Sequence, residues 1–287
     1  MHSRARLRAA AAALQRARRV LTPHAPQLDL CSQKSVKEAA AAFNAKHQNL
    51  HTLILNAAVM ATPFTLTEDG FEEQMAATHF GHFALAGLLM DKCVPVVSYR
   101  LLSLACAPLA LLCSWADACG DRLKASAPSR VVTQSSMMHW FSGDMPLDKL
   151  NKRRDKWSIY ANAKLANMLF TLELKKRLAK HAPGVLAVAC HPGYTATGLQ
   201  LTPGKGPEWV MRAMNAAFAQ NVRMGAQPQL YAALGEDIES GDFTGPEGLS
   251  KGPAMKVSRS KRAQDEDAAA KFWALSAKLT GINYLDD

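Results

Sequence analysis

Leu53, Ile54 and Leu55 are three consecutive apolar residues inside Leu50 to Val59, a run too short for a helix of its own. A strand with one wet face alternates apolar and polar residues. An unbroken apolar run predicts a strand buried on both faces, as in a parallel sheet. Ser129 to Ser136 (SRVVTQSS) and Val185 to Ala189 have the same character, and a short strand is expected to end in Leu28-Asp29-Leu30. Helical stretches separate them: 34 to 47, 68 to 90, and Tyr160 to His181, the last stopped by Pro183-Gly184. A final helix runs from about Gln264 to Leu279. Strand, helix, strand, helix is the rhythm of an α/β fold with a doubly wound parallel sheet. With 287 residues and no internal repeat, the chain reads as one domain.

Three strands end in polar or glycine-containing turns: Asn56-Ala57, Ser135-Ser136 and Pro192-Gly193. In an open parallel sheet, ligands bind beyond the carboxyl ends of the strands. The three turns are therefore expected to converge on one crevice.

Tyr160-Ala-Asn-Ala-Lys164 opens the third helix, and a spacing of four puts Tyr160 and Lys164 on one face. An unperturbed phenol titrates near pH 10, too high for a good acid-base catalyst. An ammonium one turn away is expected to favour the phenolate and lower that value. When hydride reaches a carbonyl carbon, the oxygen needs a proton, and such a tyrosine could supply it. Ser136, at the end of a buried strand, could hydrogen-bond and polarise the same oxygen. Asn56 could tie the sheet edge to a cofactor. Each residue also has a bland reading: a surface Tyr and Lys, a serine that caps the next turn, an ordinary turn asparagine. Their joint occurrence in this order favours chemistry.

Asn56-Ala-Ala-Val, Val131-Val-Thr-Gln-Ser-Ser, Tyr160-Ala-Asn-Ala-Lys-Leu-Ala-Asn-Met-Leu-Phe and His191-Pro-Gly-Tyr-Thr-Ala-Thr resemble the short-chain dehydrogenase/reductase family. The LANMLF and HPG details are similar to its retinol-dehydrogenase-like and WW-domain-oxidoreductase branch. The resemblance implies a Rossmann-type fold and interconversion of an alcohol and a carbonyl with NADP(H) or NAD(H), the branch usually preferring NADP(H). It implies Ser136 as the substrate-orienting serine, Tyr160 as acid/base and Lys164 as ligand of the nicotinamide ribose. Asp29 and Leu30 would contact adenine, and Asn56, Ala57 and Ala58 would lie beside the adenosine. Pro192, Gly193 and Thr197 would close over the nicotinamide. The Tyr160 helix would also serve in homodimer contacts. A lipophilic substrate fits the branch and the apolar residues of a lid at 198 to 230. A catalytically inactive relative acting as a binding module is the alternative.

Three departures stand out. The family's opening strand and glycine-rich turn, which admits a pyrophosphate to a helix N-terminus, has no match; the first glycine is Gly70. The expectation is a chain that lacks the family's first two strands, which leaves the Leu53 strand with an unpaired edge. Second, Cys93 to about Arg122 interrupts the resemblance, and residues 94 to 113 are almost wholly apolar. Length and hydropathy there permit a membrane span, although Pro95, Arg100 and Pro108 speak against one. A surface insertion or translated intron is the favoured reading. Third, Thr78 stands where the family commonly has an asparagine holding a relay water. His79 and His82 beside it are expected to be structural rather than metal ligands.

Charge excludes little by itself. The formal charge of +10 sits in three runs, at Arg4 to Arg19, Lys149 to Lys156 and Lys251 to Arg262, without the interleaved aromatics that stack on bases. Solvated faces and an anionic cofactor account for it better than nucleic acid. Six cysteines form no CxxC pair or zinc spacing, which suits reduced thiols in an intracellular, by default cytoplasmic, protein. The Arg- and Ala-rich N-terminus, read as a helix over 4 to 19, fits a mitochondrial or plastid transit peptide equally well as a helix of the fold.

Overall fold

The structure is a computed structural model and describes residues 27–93, 129–143, 145, 147–195 and 219–286. The expected helix at 4 to 19, the apolar segment 94 to 113, and the lid up to residue 218 lie outside the described residues.

Five strands form one sheet in the order β1-β2-β3-β4-β5: β1 (Thr52–Leu55), β2 (Ser129–Gln134), β3 (Val185–Cys190), β4 (Phe243–Pro246) and β5 (Ala254–Lys256). The first four are parallel and β5 is antiparallel to β4. Around the sheet run α1 (Gln33–Lys46), α2 (Gly81–Cys93), α3 (Lys156–His181), α4 (Val222–Leu234) and α5 (Glu266–Thr280). The α/β expectation with a mainly parallel sheet holds. Leu53, Leu55, Val131, Val185 and Ala187 pack against Phe83 and Leu89 of α2 and Phe170 and Leu174 of α3, with Trp273 of α5 joining from outside. On the other face Val132, Val188 and Cys190 meet Ala232 and Ala233 of α4.

Three details differ from the sequence expectation. Leu28-Asp29-Leu30 is not a strand but a turn into α1: the Asp29 carbonyl accepts from Ser32 N at 3.2 Å and its side chain accepts from Cys31 N at 2.9 Å. The turn's own hydrogen bonds replace those a sheet neighbour would give. Second, β1 is wet on one face, with Ile54 40% exposed. Ile54 is level with Val132, but α4 packs over β2 to β5 and leaves Ile54 open. Among the described residues nothing pairs with the outer edge of β1. Third, the expected helix from 68 starts only at Glu73. Gly70, with φ of 78°, closes a turn back to Thr67, and Glu72 caps the helix by accepting from Met75 N at 2.9 Å. A π-helical stretch, Ala76–Phe80, then leads into α2.

Expected as a basic surface loop, Gly248 to Arg262 contains β5 and a stretch packed against the end of β2, as described below. Its four-residue partner β4 reads Phe-Thr-Gly-Pro, which has the composition of a turn. Buried Arg130 at the foot of β2 donates to the carbonyls of Ala232 at 3.0 Å and Gly235 at 2.7 Å, satisfying the open C-terminal end of α4. Among the described residues no helix is long and apolar enough to cross a membrane.

Candidate active site

Registry puts the three turns side by side. Leu55 is level with Thr133, and Gln134 is level with Cys190, so β1, β2 and β3 end at nearly the same height. Beyond those ends lie Asn56, Ser135-Ser136 and Pro192-Gly193.

Asp155 caps α3, accepting from Ser158 N at 2.8 Å, which sets Tyr160 and Lys164 in the first turns of the helix. Ser135 binds β2 to that helix by donating to the Lys164 carbonyl at 2.9 Å. Ser136 is thereby brought near the Tyr160 hydroxyl, close enough to favour its charged form. Ser136 Oγ also accepts from Met138 N at 3.2 Å, capping a 3-10 turn over Met137–Phe141. The capping role and the position near Tyr160 thus coexist. Lys164 Nζ donates to the Gln134 carbonyl at 3.2 Å and stands 5.8 Å from the centre of the Tyr160 ring. Asn167, one turn on, donates to the same carbonyl at 2.9 Å.

Electrostatics differ from the sequence expectation. Burial pushes the Tyr160 phenol up to about 12, against a smaller opposing effect of the neighbouring Ser136 hydroxyl. Burial likewise pushes Lys164 down to about 8. The expected lowering of the phenol by the ammonium is absent, because desolvation of both groups outweighs their attraction at this distance.

The remaining expected residues take varied positions. Gly193 has φ of 66°, and a Cβ there would collide with the Ser250 carbonyl. The Pro192 carbonyl accepts from Thr195 Oγ1 at 2.9 Å and from Gln220 Nε2 at 2.6 Å, fixing the turn. Asn56 and Ala57 are exposed and Ala58 half-buried, and Asn56 Oδ1 accepts from Gln229 at 3.1 Å. Asp29 is exposed, and its side chain is occupied by its own turn. Leu30 rests on α2 at Gly81, where a Cβ would meet its carbonyl. Thr197 lies outside the described residues. Thr78, buried in the π stretch, leaves its Oγ1 without a partner, as do Thr133 Oγ1 and Asn167 Oδ1. His79 Nε2 bonds Ser276 Oγ at 2.9 Å among aromatic rings and His82 Nδ1 bonds the Thr78 carbonyl at 3.0 Å, both in structural roles. The Tyr160 helix packs along α5 of its own chain, Leu165, Met168 and Leu169 sharing a core with Ala269 and Phe272.

Sequence reasoning missed Gln134, Asn167 and His139. Asn167 was findable, being three residues after Lys164 on the same helical face. Gln134 acts through its backbone carbonyl, for which side-chain identity gives no signal.

Human retinol dehydrogenase 13 is 35% identical over 269 residues, covering 90% of this chain and 69% of that protein. Zebrafish (Danio rerio) WW domain-containing oxidoreductase is 32% identical over 264 residues, covering 88% of this chain and 54% of that protein. The chain belongs to the short-chain dehydrogenase/reductase family. It is thereby placed among NAD(P)-dependent oxidoreductases. No family model matches the chain. A solved structure of an uncharacterised Mycobacterium paratuberculosis protein is 34% identical, with a TM-score of 0.63, covering 90% of this chain and 75% of that one. A Burkholderia cenocepacia short chain dehydrogenase in complex with NADP, 16% identical with a TM-score of 0.51 over 78% of this chain and 75% of that one, shares the fold.

Proposed function

We propose that this short-chain dehydrogenase/reductase interconverts a lipophilic alcohol and its carbonyl with NADP(H) or NAD(H), using Tyr160 as acid/base. One observation carries the reading: Tyr160 lies beside Ser136, with the Lys164 ammonium 5.8 Å from the centre of its ring, at the ligand-binding end of the sheet.

The residues present fit the nicotinamide half of the coenzyme. Lys164 has three donors and spends one on Gln134, so its ammonium suits the ribose hydroxyls. The Pro192-Gly193 turn, held open by the left-handed Gly193, would flank the ring. Asn56 to Ala58 and Asp29 would serve the adenosine side. The described residues contain no glycine-rich turn for the pyrophosphate. Bound, the coenzyme gives or takes the hydride.

Burial keeps Tyr160 protonated at neutral pH, so it enters reduction as the proton donor. Ser136 shares the substrate oxygen and orients it. Once the proton has left, the phenolate is held by Ser136 and by the nearby ammonium, whose attraction is strongest when the ring carries charge. In oxidation the phenolate form of Tyr160, held the same way, accepts the alcohol proton and becomes the phenol. Lipophilic substrates suit the names of the retinol dehydrogenase relatives. They also suit the exposed Trp140 and Phe141, an apolar lip on the turn that Ser136 caps.

The test is titration of the full chain with NADPH and NADH by tryptophan fluorescence, followed by turnover of retinal and of medium-chain aldehydes. Saturable quenching and aldehyde-dependent loss of reduced coenzyme support the reading. A well-folded chain that binds neither coenzyme would instead be an inactive relative.

A further inference from the structure

His139 follows Ser136 on the 3-10 turn, is 1% exposed, and has both ring nitrogens engaged. The backbone N–H of Ser260 donates to its Nε2 at 3.2 Å. A backbone amide can only donate, so Nε2 must carry a lone pair. The ring proton therefore sits on Nδ1, which donates to the Ser136 carbonyl at 2.6 Å. Phe243 of β4 packs edge-on against the ring at 5.4 Å. Farther along, Arg262 donates to the Ser142 carbonyl at 2.6 Å. The 260 to 262 segment thus holds the 3-10 turn at its middle and at its C-terminal end.

We infer that His139, locked as the neutral Nδ1–H tautomer by Ser260, is a positioning residue that holds Ser136 in its orientation toward Tyr160. The inference rests on the proposed reaction and deepens it. A segment 121 residues distant in sequence thereby sets the geometry of the serine. Ser136 Oγ accepts from Met138 N and lies near Tyr160, so rotation of its backbone carries the hydroxyl away from the phenol. Ring protonation would put a hydrogen on Nε2 against the Ser260 amide; burial and the neighbouring Arg259 both oppose it.

Two substitutions divide the ring's functions. His139→Asn places an amide N–H near the Nδ1 position and keeps the donor to Ser136. His139→Gln reaches toward Ser260 with an acceptor and gives up that donor. Turnover in His139→Gln is expected to fall roughly 10- to 100-fold, with Tm no lower than in His139→Asn, which keeps kcat within about threefold of the parent chain. Equal kcat in the two variants, or activity that merely follows Tm, would overturn the inference. The second measurement does not need activity. Long-range nitrogen–proton NMR of the parent chain, its signal assigned by loss in the variants, is expected to show Nδ1 protonated and Nε2 bare. An Nε2–H or charged ring overturns the inference even if neither variant folds. Absence of turnover in the parent chain would count against the proposed reaction and leave the tautomer result standing.

Discussion

The Lys164 ammonium stands 5.8 Å from the centre of the Tyr160 ring, with both side chains almost wholly out of water, at 2% and 6% exposure. At that depth each group's desolvation exceeds the attraction between them. The phenol is held neutral and the ammonium is destabilised. The pair is set up for a charge that exists only during turnover, when the phenolate forms beside a cation already in place.

Tyr160→Phe removes the proton donor and little else. Ser136 Oγ keeps its bond from Met138 N, so stability is expected to change by no more than about 1 kcal/mol. Turnover of a carbonyl substrate is expected to fall by roughly 10²- to 10⁴-fold. Steady-state kinetics and a thermal melt on the same sample check both halves.

Lys164→Met is expected to make the chain more stable and inactive. The folded pKa of Lys164, about 8, lies below its ordinary 10.5, so between these values the unfolded chain binds more protons and stability rises with pH. Below pH 8 the buried charge costs on the order of 3 kcal/mol. The variant removes that cost and the slope, while the Gln134 carbonyl keeps its bond from Asn167. Denaturant melts at pH 7 and pH 10 measure it: the gain should be larger at pH 7.

Without coenzyme, Tyr160 is expected to ionise near pH 12. Ultraviolet difference titration of the parent chain against Tyr160→Phe isolates this one phenol. A transition near pH 10 would mean that the hydroxyl is wet or that the ammonium dominates. In the folded chain the raised value also means that stability contributed by this phenol is lost as pH climbs from 10 toward 12, where only the unfolded chain deprotonates.

Gly193→Ala forces a side chain into a left-handed position against the Ser250 carbonyl and Pro246. A loss of roughly 1 to 3 kcal/mol is expected. Because the turn flanks the proposed nicotinamide position, coenzyme affinity should weaken along with stability. Fluorescence titration beside a thermal melt measures both.

Much of this arrangement was legible because it is local. Consecutive apolar residues at Leu53 to Leu55 and in Ser129 to Ser136 located β1 and β2, and a spacing of four put Tyr160 beside Lys164. What could not be read depends on distant partners. Ile54 reads as buried until α4 is seen to stop short of β1. Leu28 to Leu30 read as strand until the Ser32 turn claims their hydrogen bonds. The sign of the Tyr160 shift turned on burial depth, which a helix face alone does not reveal. His139 gained its meaning only when Ser260 arrived from the far end of the chain.

The most direct measurement is a crystal structure of the chain with NADP⁺ and an unreactive carbonyl ligand. The carbonyl oxygen should lie within hydrogen-bond reach of both the Tyr160 hydroxyl and Ser136 Oγ, with Lys164 on the nicotinamide ribose. A dinucleotide bound elsewhere, or a Tyr160 hydroxyl pointing away from the ligand, would contradict the proposed chemistry.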